Sequence, residues 1–122
     1  MKPAVSVYKK MSPLLSVTHM ANSIEFYTEK LGFSVEFRYE DFYAGISKDG
    51  LSIHLKSGSK LTGGEKEKDD VQVIILVENI EGLYEEISHK KIEIVQTIRD
   101  MPYGKEFYIA DLDGNQLAFI EN

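Results

Sequence analysis

The sequence predicts an α+β fold made of two βαβββ modules, and three observations carry that prediction. The stretch from Lys48-Asp49-Gly50-Leu51 to Leu55 recurs in outline from Leu112-Asp113-Gly114-Asn115 to Phe119, an offset of 64 residues (113 − 49) in a chain of 122. Each copy follows a stretch of helical periodicity that opens near an asparagine, Asn22 or Asn79. Each copy also ends in a turn and a strand of alternating apolar residues. Two such units must dock to bury their apolar faces, and a ligand site is expected in the groove between them.

The elements follow in order. Residues 1–12 form a leader that is either a short strand through Val5, Val7 and Tyr8 or a flexible segment. A strand is expected over 14–18, leaving Pro13, because proline is tolerated where a strand begins. Asn22 with Glu25 reads as a capping box opening a helix whose apolar stripe is Ile24, Tyr27 and Leu31, widened by Phe26. Gly32 then suits a left-handed helix end. Residues 34–40 alternate, predicting Val35, Phe37 and Tyr39 on one face and Glu36, Arg38 and Glu40 on the other. Strands over 42–48 and 51–56 flank the Asp49-Gly50 hairpin signal.

Residues 57–70 are rich in Gly, Lys and Glu with little to bury, and read as a linker between module one (12–56) and module two (71–122). The β-branched run 71–77 is typical of a strand buried on both faces. Asn79 opens the second helix, with Leu83, Tyr84 and Ile87 inward and His89-Lys90-Lys91 at the negative end of its dipole. Three more strands are expected near 95–100, 106–110 and 116–121, turning at Asp113-Gly114.

Composition excludes several classes. An apolar fraction of 43% and a charged fraction of 28% describe one ordinary soluble domain. No apolar run approaches the roughly 20 residues of a membrane span, and the first residues lack the apolar core of a secretory signal. The absence of cysteine rules out disulfides, thiol nucleophiles and cysteine zinc sites, and fits a cytoplasmic protein. A formal charge of −6 argues against nucleic acid as partner and favours cationic ligands, although solubility is its plainer reading. No G-x-S-x-G elbow and no phosphate-cradling G-x-x-x-x-G-K-[ST] occurs.

Three segments go further: Ser23-Ile24-Glu25-Phe26-Tyr27 through Leu31-Gly32-Phe33, then Glu106-Phe107-Tyr108-Ile109-Ala110, then Asp111-Leu112-Asp113-Gly114-Asn115-Gln116-Leu117. In this order and spacing the chain resembles the vicinal oxygen chelate superfamily, which includes glyoxalase I, extradiol dioxygenases and bleomycin-resistance proteins. Leu112 stands where the family's ending usually has proline. The resemblance implies two βαβββ modules curling into an open barrel with a concave cleft, and a homodimer that in some members exchanges modules.

Catalytic members hold a divalent metal through four side chains, two per module. Carried onto this chain, the resemblance places those positions at Ser12, His54, Gln72 and Ala118. Of these only His54 is a good ligand; Gln72 is a weak one, Ser12 a poor one, and Ala118 has no donor atom. No metal or other cofactor is therefore expected, and binding is favoured over catalysis. The expected ligand-contacting residues of the cleft are His54, Gln72, Tyr43, Phe42, Tyr103 and Tyr108. Seven tyrosines and six phenylalanines could stack on a planar or cationic small molecule, although Phe26, Phe33, Phe107 and Phe119 are expected in the core. The expected function is ligand sequestration of the bleomycin-resistance type. The alternative is a glyoxalase-like lyase, isomerase or dioxygenase with a degenerate site using His54, for which Glu40, Glu106 and Asp111 are the candidate carboxylates. His19 and His89 are expected at the surface.

Overall fold

The structure, a computed structural model, describes residues 5–58 and 70–122; most of the expected linker lies outside them. Module one runs β1 (Leu14–Val17), α1 (Met20–Glu25), a π-helical turn (Phe26–Lys30), β2 (Ser34–Tyr39), β3 (Tyr43–Lys48) and β4 (Leu51–Ser57). Module two runs β5 (Val71–Leu76), α2 (Ile80–Ser88), β6 (Glu93–Met101), β7 (Gly104–Ala110) and β8 (Gln116–Glu121). Each module folds into one four-stranded sheet, ordered β1-β4-β3-β2 and β5-β8-β7-β6. In both, the first strand lies parallel to the last, and the remaining pairs are antiparallel. The twofold βαβββ plan is therefore present in full.

Alternation along the strands explains where the core forms. Leu15, Val17, Ala44, Ile46, Ile53 and Leu55 of sheet one, and Val73, Phe107, Ile109, Leu117 and Phe119 of sheet two, point to the helix side and are buried. Together with Met20, Phe26, Tyr27, Ile80 and Ile87 they make one continuous cluster spanning both modules. Burying each large side chain contributes about 1.5–3 kcal/mol, so this shared layer supplies most of the driving force for docking.

A polar seam orients the modules. Tyr27, in the π-helical turn, donates to Asp111 Oδ2 at 2.7 Å. Asp113 Oδ1 accepts from the backbone and hydroxyl of Thr18 at 3.0 and 2.7 Å, and Asn115 Nδ2 donates to the Ser16 carbonyl at 2.9 Å. At the helix ends the exchange is reciprocal: Lys30 Nζ donates to the Lys91 carbonyl and Lys90 Nζ to the Lys30 carbonyl, each at 2.7 Å. Asp111 also receives the backbone N–H groups of Asp113 and Asn115, both at 2.9 Å. The D-x-D-G-N ending is thus a joint between modules as well as a turn.

Three sequence expectations need correction. The capping box of Asn22 and Glu25 is not formed: α1 begins at Met20, His19 is its N-cap, and no side chain caps it. The chain turns earlier because Asp113 ties Thr18 just ahead of the helix, while Met20 is buried. The strict alternation over 34–40 is broken by a bulge in β2: Val35 pairs with Ile46, but Phe37 pairs with Gly45. The extra residue flips the later side chains to the other face. Finally, β5 is not buried on both sides within the chain, since Ile74 and Leu76 are 66% and 63% exposed. The second helix opens at Asn79 as expected, its side chain accepting from Gly82 N, and Gly32 ends the first helix at φ +78°. Phe26, Phe107 and Phe119 are buried, Phe33 packs against the core, and His19 and His89 are exposed. Residues 5–12 form no strand.

Candidate functional site

Each sheet turns one face away from the helices, the face that the resemblance implies is concave, and the two faces are chemically unlike. On module one, His54 of β4 lies beside Leu14 of β1 and across from Gly45 of β3. Its Nδ1 shares a 2.8 Å hydrogen bond with the Tyr43 hydroxyl. The Phe37 ring stands edge-on to His54 at 5.2 Å between centroids and is stacked with Tyr43 at 6.0 Å. Tyr39 continues the cluster 5.6 Å from Phe37, and Phe42 stacks on Tyr39 at 6.5 Å. Gly45 makes this packing possible, because a Cβ there would lie 2.3 Å from the Phe37 ring. Tyr39 and Phe42 remain more than half exposed, so the cluster is an open aromatic surface.

Glu36, in the β2 bulge, also reaches this face. Ser52 Oγ donates to its Oε1 at 2.6 Å, and Lys10 Nζ lies 3.5 Å from Oε2. The Ser52 hydroxyl, helped by Lys10 and the nearby His54, holds the Glu36 carboxyl below its ordinary value.

On module two the position equivalent to His54 is Ala118, flanked by Ile74 of β5 and Tyr108 of β7. The polar groups gather one pair further along the strands. Glu106, paired with Arg99 and Ile120, is only 1% exposed. Its carboxylate accepts from Arg99 Nε at 2.7 Å, from Tyr108 at 3.1 Å, and from the Tyr103 hydroxyl. Arg99 lies over the Tyr108 ring, 5.6 Å from its centroid. Burial would raise the Glu106 pKa, but donors from Tyr103, Arg99 and Tyr108 outweigh it and hold the carboxyl below its ordinary value. The same bonds act oppositely on the phenols: Tyr103, bonded to Glu106, is pushed up to about 12.

The expected cleft residues thus separate. His54, Tyr43 and Phe42 join the module-one cluster; Tyr103 and Tyr108 join the module-two network. Gln72 is taken up by the sheet: its Oε1 accepts from Gln116 N at 2.5 Å, beside an irregularity in β5. Sequence reasoning passed over Glu36 and Arg99, and it put Phe37 on the face opposite Glu36, whereas the bulge brings the two to the same face. The bulge has no sequence signal here, since Val35 to Tyr39 alternates without a glycine. Glu40 and Asp111 both stand in turns, and Asp111 is engaged by Tyr27.

Comparison with known proteins now bears on this geometry. A family model described as Glyoxalase/Bleomycin resistance protein/Dioxygenase superfamily matches residues 11–119. The chain belongs to this superfamily. Similar solved structures include the bleomycin-binding protein of bleomycin-producing Streptomyces verticillus, complexed with copper(II)-bleomycin, at 19% identity and TM-score 0.71 over 97% of this chain and 99% of that one. TioX from Micromonospora sp. ML1 matches at 20% identity and TM-score 0.73, covering 93% and 96% of the two chains. A glyoxalase-related enzyme from Clostridium phytofermentans matches at 20% and 0.74, covering 98% and 99%. At these identities the likeness speaks for the fold. No curated protein matches the chain.

The divalent metal of the superfamily's catalytic members can be tested against these residues. Register places Leu14 beside His54 and Ile74 beside Ala118. Ser12 precedes β1, and the Gln72 carbonyl already accepts a backbone N–H. Three hydrocarbon side chains and one imidazole do not make a hard-metal site. Among the described residues, no group of three or more His, Cys, Asp or Glu could hold an ion. The donor set does not fit the metal. No helix among the described residues is long and apolar enough to cross a membrane.

Proposed function

We propose that this chain is a small-molecule binding protein of the bleomycin-resistance type, sequestering an aromatic or cationic ligand, with the superfamily's metal site lost. The observation that carries this reading is the composition around His54. The rings of Phe37, Tyr39, Phe42 and Tyr43 gather beside His54, while Leu14, Ile74 and Ala118 stand where metal donors would be needed. Flat rings attract planar and cationic groups through dispersion and their quadrupoles. Module two contributes Tyr103 and Tyr108 as a second polar-aromatic wall. The cytoplasm is the expected location, and antibiotic resistance by sequestration the expected role.

A homodimer belongs to the same reading. The apolar run of β5 leaves Ile74 and Leu76 exposed on the concave side, and a second copy covering them accounts for a strand composition suited to burial on both faces. Calorimetric titration with bleomycin and with small aromatic cations tests the binding. Saturable heat is expected, and no heat across the panel defeats the proposal. Light scattering coupled to size exclusion tests the dimer, with a monomer at micromolar concentration counting against it.

The second reading, a lyase, isomerase or dioxygenase, is favoured by one observation, the 2.8 Å bond orienting His54 on Tyr43. It requires that added Ni, Zn, Mn or Fe be retained on elemental analysis and confer activity that His54→Ala abolishes.

A further inference from the structure

We infer that Glu36 is the cation subsite of the module-one concave face, and that Lys10 of the N-terminal arm is its internal occupant, displaced when the ammonium or amidinium of a ligand binds. This rests on the reading that the face binds a small molecule, and adds which group receives the charge and what must leave.

The bulge in β2 delivers Glu36 and Phe37 to the same side of the sheet, so one carboxylate stands at the border of the ring cluster. Ser52 Oγ, 2.6 Å away, holds Oε1 and leaves Oε2 facing Lys10. A cation at Oε2 meets the negative charge on the face that carries Phe37, the next residue along β2, and the ring cluster extends from there; charge and ring attraction add for a flat amidinium or an aryl ammonium.

The arm that supplies Lys10 is poorly held. Val5, Val7, Tyr8 and Met11 are 75%, 68%, 98% and 94% exposed, so apolar packing does not anchor it. Among the described residues the side chains of residues 5–12 make one polar contact, Lys10 to Glu36. At 3.5 Å, with side chains 52% and 31% exposed, that pair is of the weak surface kind. A bound cation competing for the same oxygen therefore releases the arm with little opposition. Lys10 fills the subsite in the absence of ligand and gives way in its presence.

Benzamidine, a flat aromatic amidinium, is the probe, with benzoate as its anionic counterpart, on the full-length protein by amide-detected NMR titration. Benzamidine is expected to bind and to shift the signals of residues 7–11, with benzoate weaker. Lys10→Ala should tighten benzamidine about two- to fivefold by removing the competitor. Glu36→Gln should weaken it at least about tenfold. Ser52→Ala keeps the charge but frees its orientation, and an intermediate loss is expected from it even if Glu36→Gln folds poorly. If benzamidine binding falls on Phe37→Ala yet is unchanged by both Lys10→Ala and Glu36→Gln, the subsite assignment is overturned while ligand binding on this face stands. Preference for benzoate over benzamidine also overturns it. Binding of neither probe overturns it too, and if bleomycin is also silent the binding proposal falls with it.

Discussion

The two modules share one backbone plan and present opposite concave faces. At equivalent places, His54 stands across from Gly45 and Ala118 across from Tyr108. Where module one has no side chain on β3, the neighbouring strand lays Phe37 into the gap; where module two has Tyr108, β6 supplies Arg99 instead. One face therefore becomes a ring cluster with an accessible carboxylate, the other a sealed carboxylate, Glu106, surrounded by donors. The backbone repeat conserves the frame, and a few side chains across one strand pair decide what the frame can hold.

Substitutions can break this contrast. The largest effect is expected from Gly104→Ala. At φ +135° a Cβ would lie 2.2 Å from the Glu121 carbonyl oxygen, a backbone atom that cannot rotate away. A loss of about 3 kcal/mol or more is expected in urea denaturation. Gly45→Ala on module one meets a ring rather than backbone. Phe37 can swing out, so a smaller cost of about 1–3 kcal/mol is expected, with loss of ring-current shifts at His54. Equal costs for the two glycines would erase the distinction.

Next in size is Tyr27→Phe in the seam, which removes a donor from the buried Asp111. About 1–2 kcal/mol is expected by the same denaturation measurement, with Asn115 still bonded to Asp111. Glu106→Gln sharpens the module-two side through titration rather than folding energy. The Tyr103 phenol should fall from about 12 toward the ordinary 10.0 when followed by ultraviolet difference absorbance. The sign for stability follows from the lowered Glu106 carboxyl. Its contribution is present above the ordinary value of 4.5 and lost as pH falls through the lower folded pKa. Wild type should therefore lose melting temperature below about pH 4.5 more steeply than the variant. The smallest effect on folding is expected from His54→Ala, under about 1 kcal/mol since its bond to Tyr43 is only partly buried, accompanied by weaker ligand binding.

Much of the architecture was readable because it follows from periodicity. The paired Asp-Gly turns, the apolar alternation in β4 and β8, and Asn79 at the start of α2 are local signals, and each lies where expected. Failures came where distant residues intervened. Asn22 has the side chain for a cap, but Asp113, 95 residues from Thr18, takes over the helix entrance. Strand phase alone put His54 on the face of β4 opposite Ile53 and Leu55. It could not place Phe37, since one extra residue in β2 reverses the phase of everything after it. Gln72, a weak ligand by residue type, has its side-chain carbonyl committed to the Gln116 N–H.

The sequence by itself determined the two βαβββ modules and the core-facing residues of β4 and β8, because strand period is a local property. Tertiary structure alone decided that the D-x-D-G-N ending joins the modules, that Arg99 and two tyrosines enclose Glu106, and that Glu36 rather than Glu40 or Asp111 stands near His54. Those facts depend on bulges, pair registers and contacts between residues far apart in the chain, where a shift of one residue changes which side of a sheet a charge occupies.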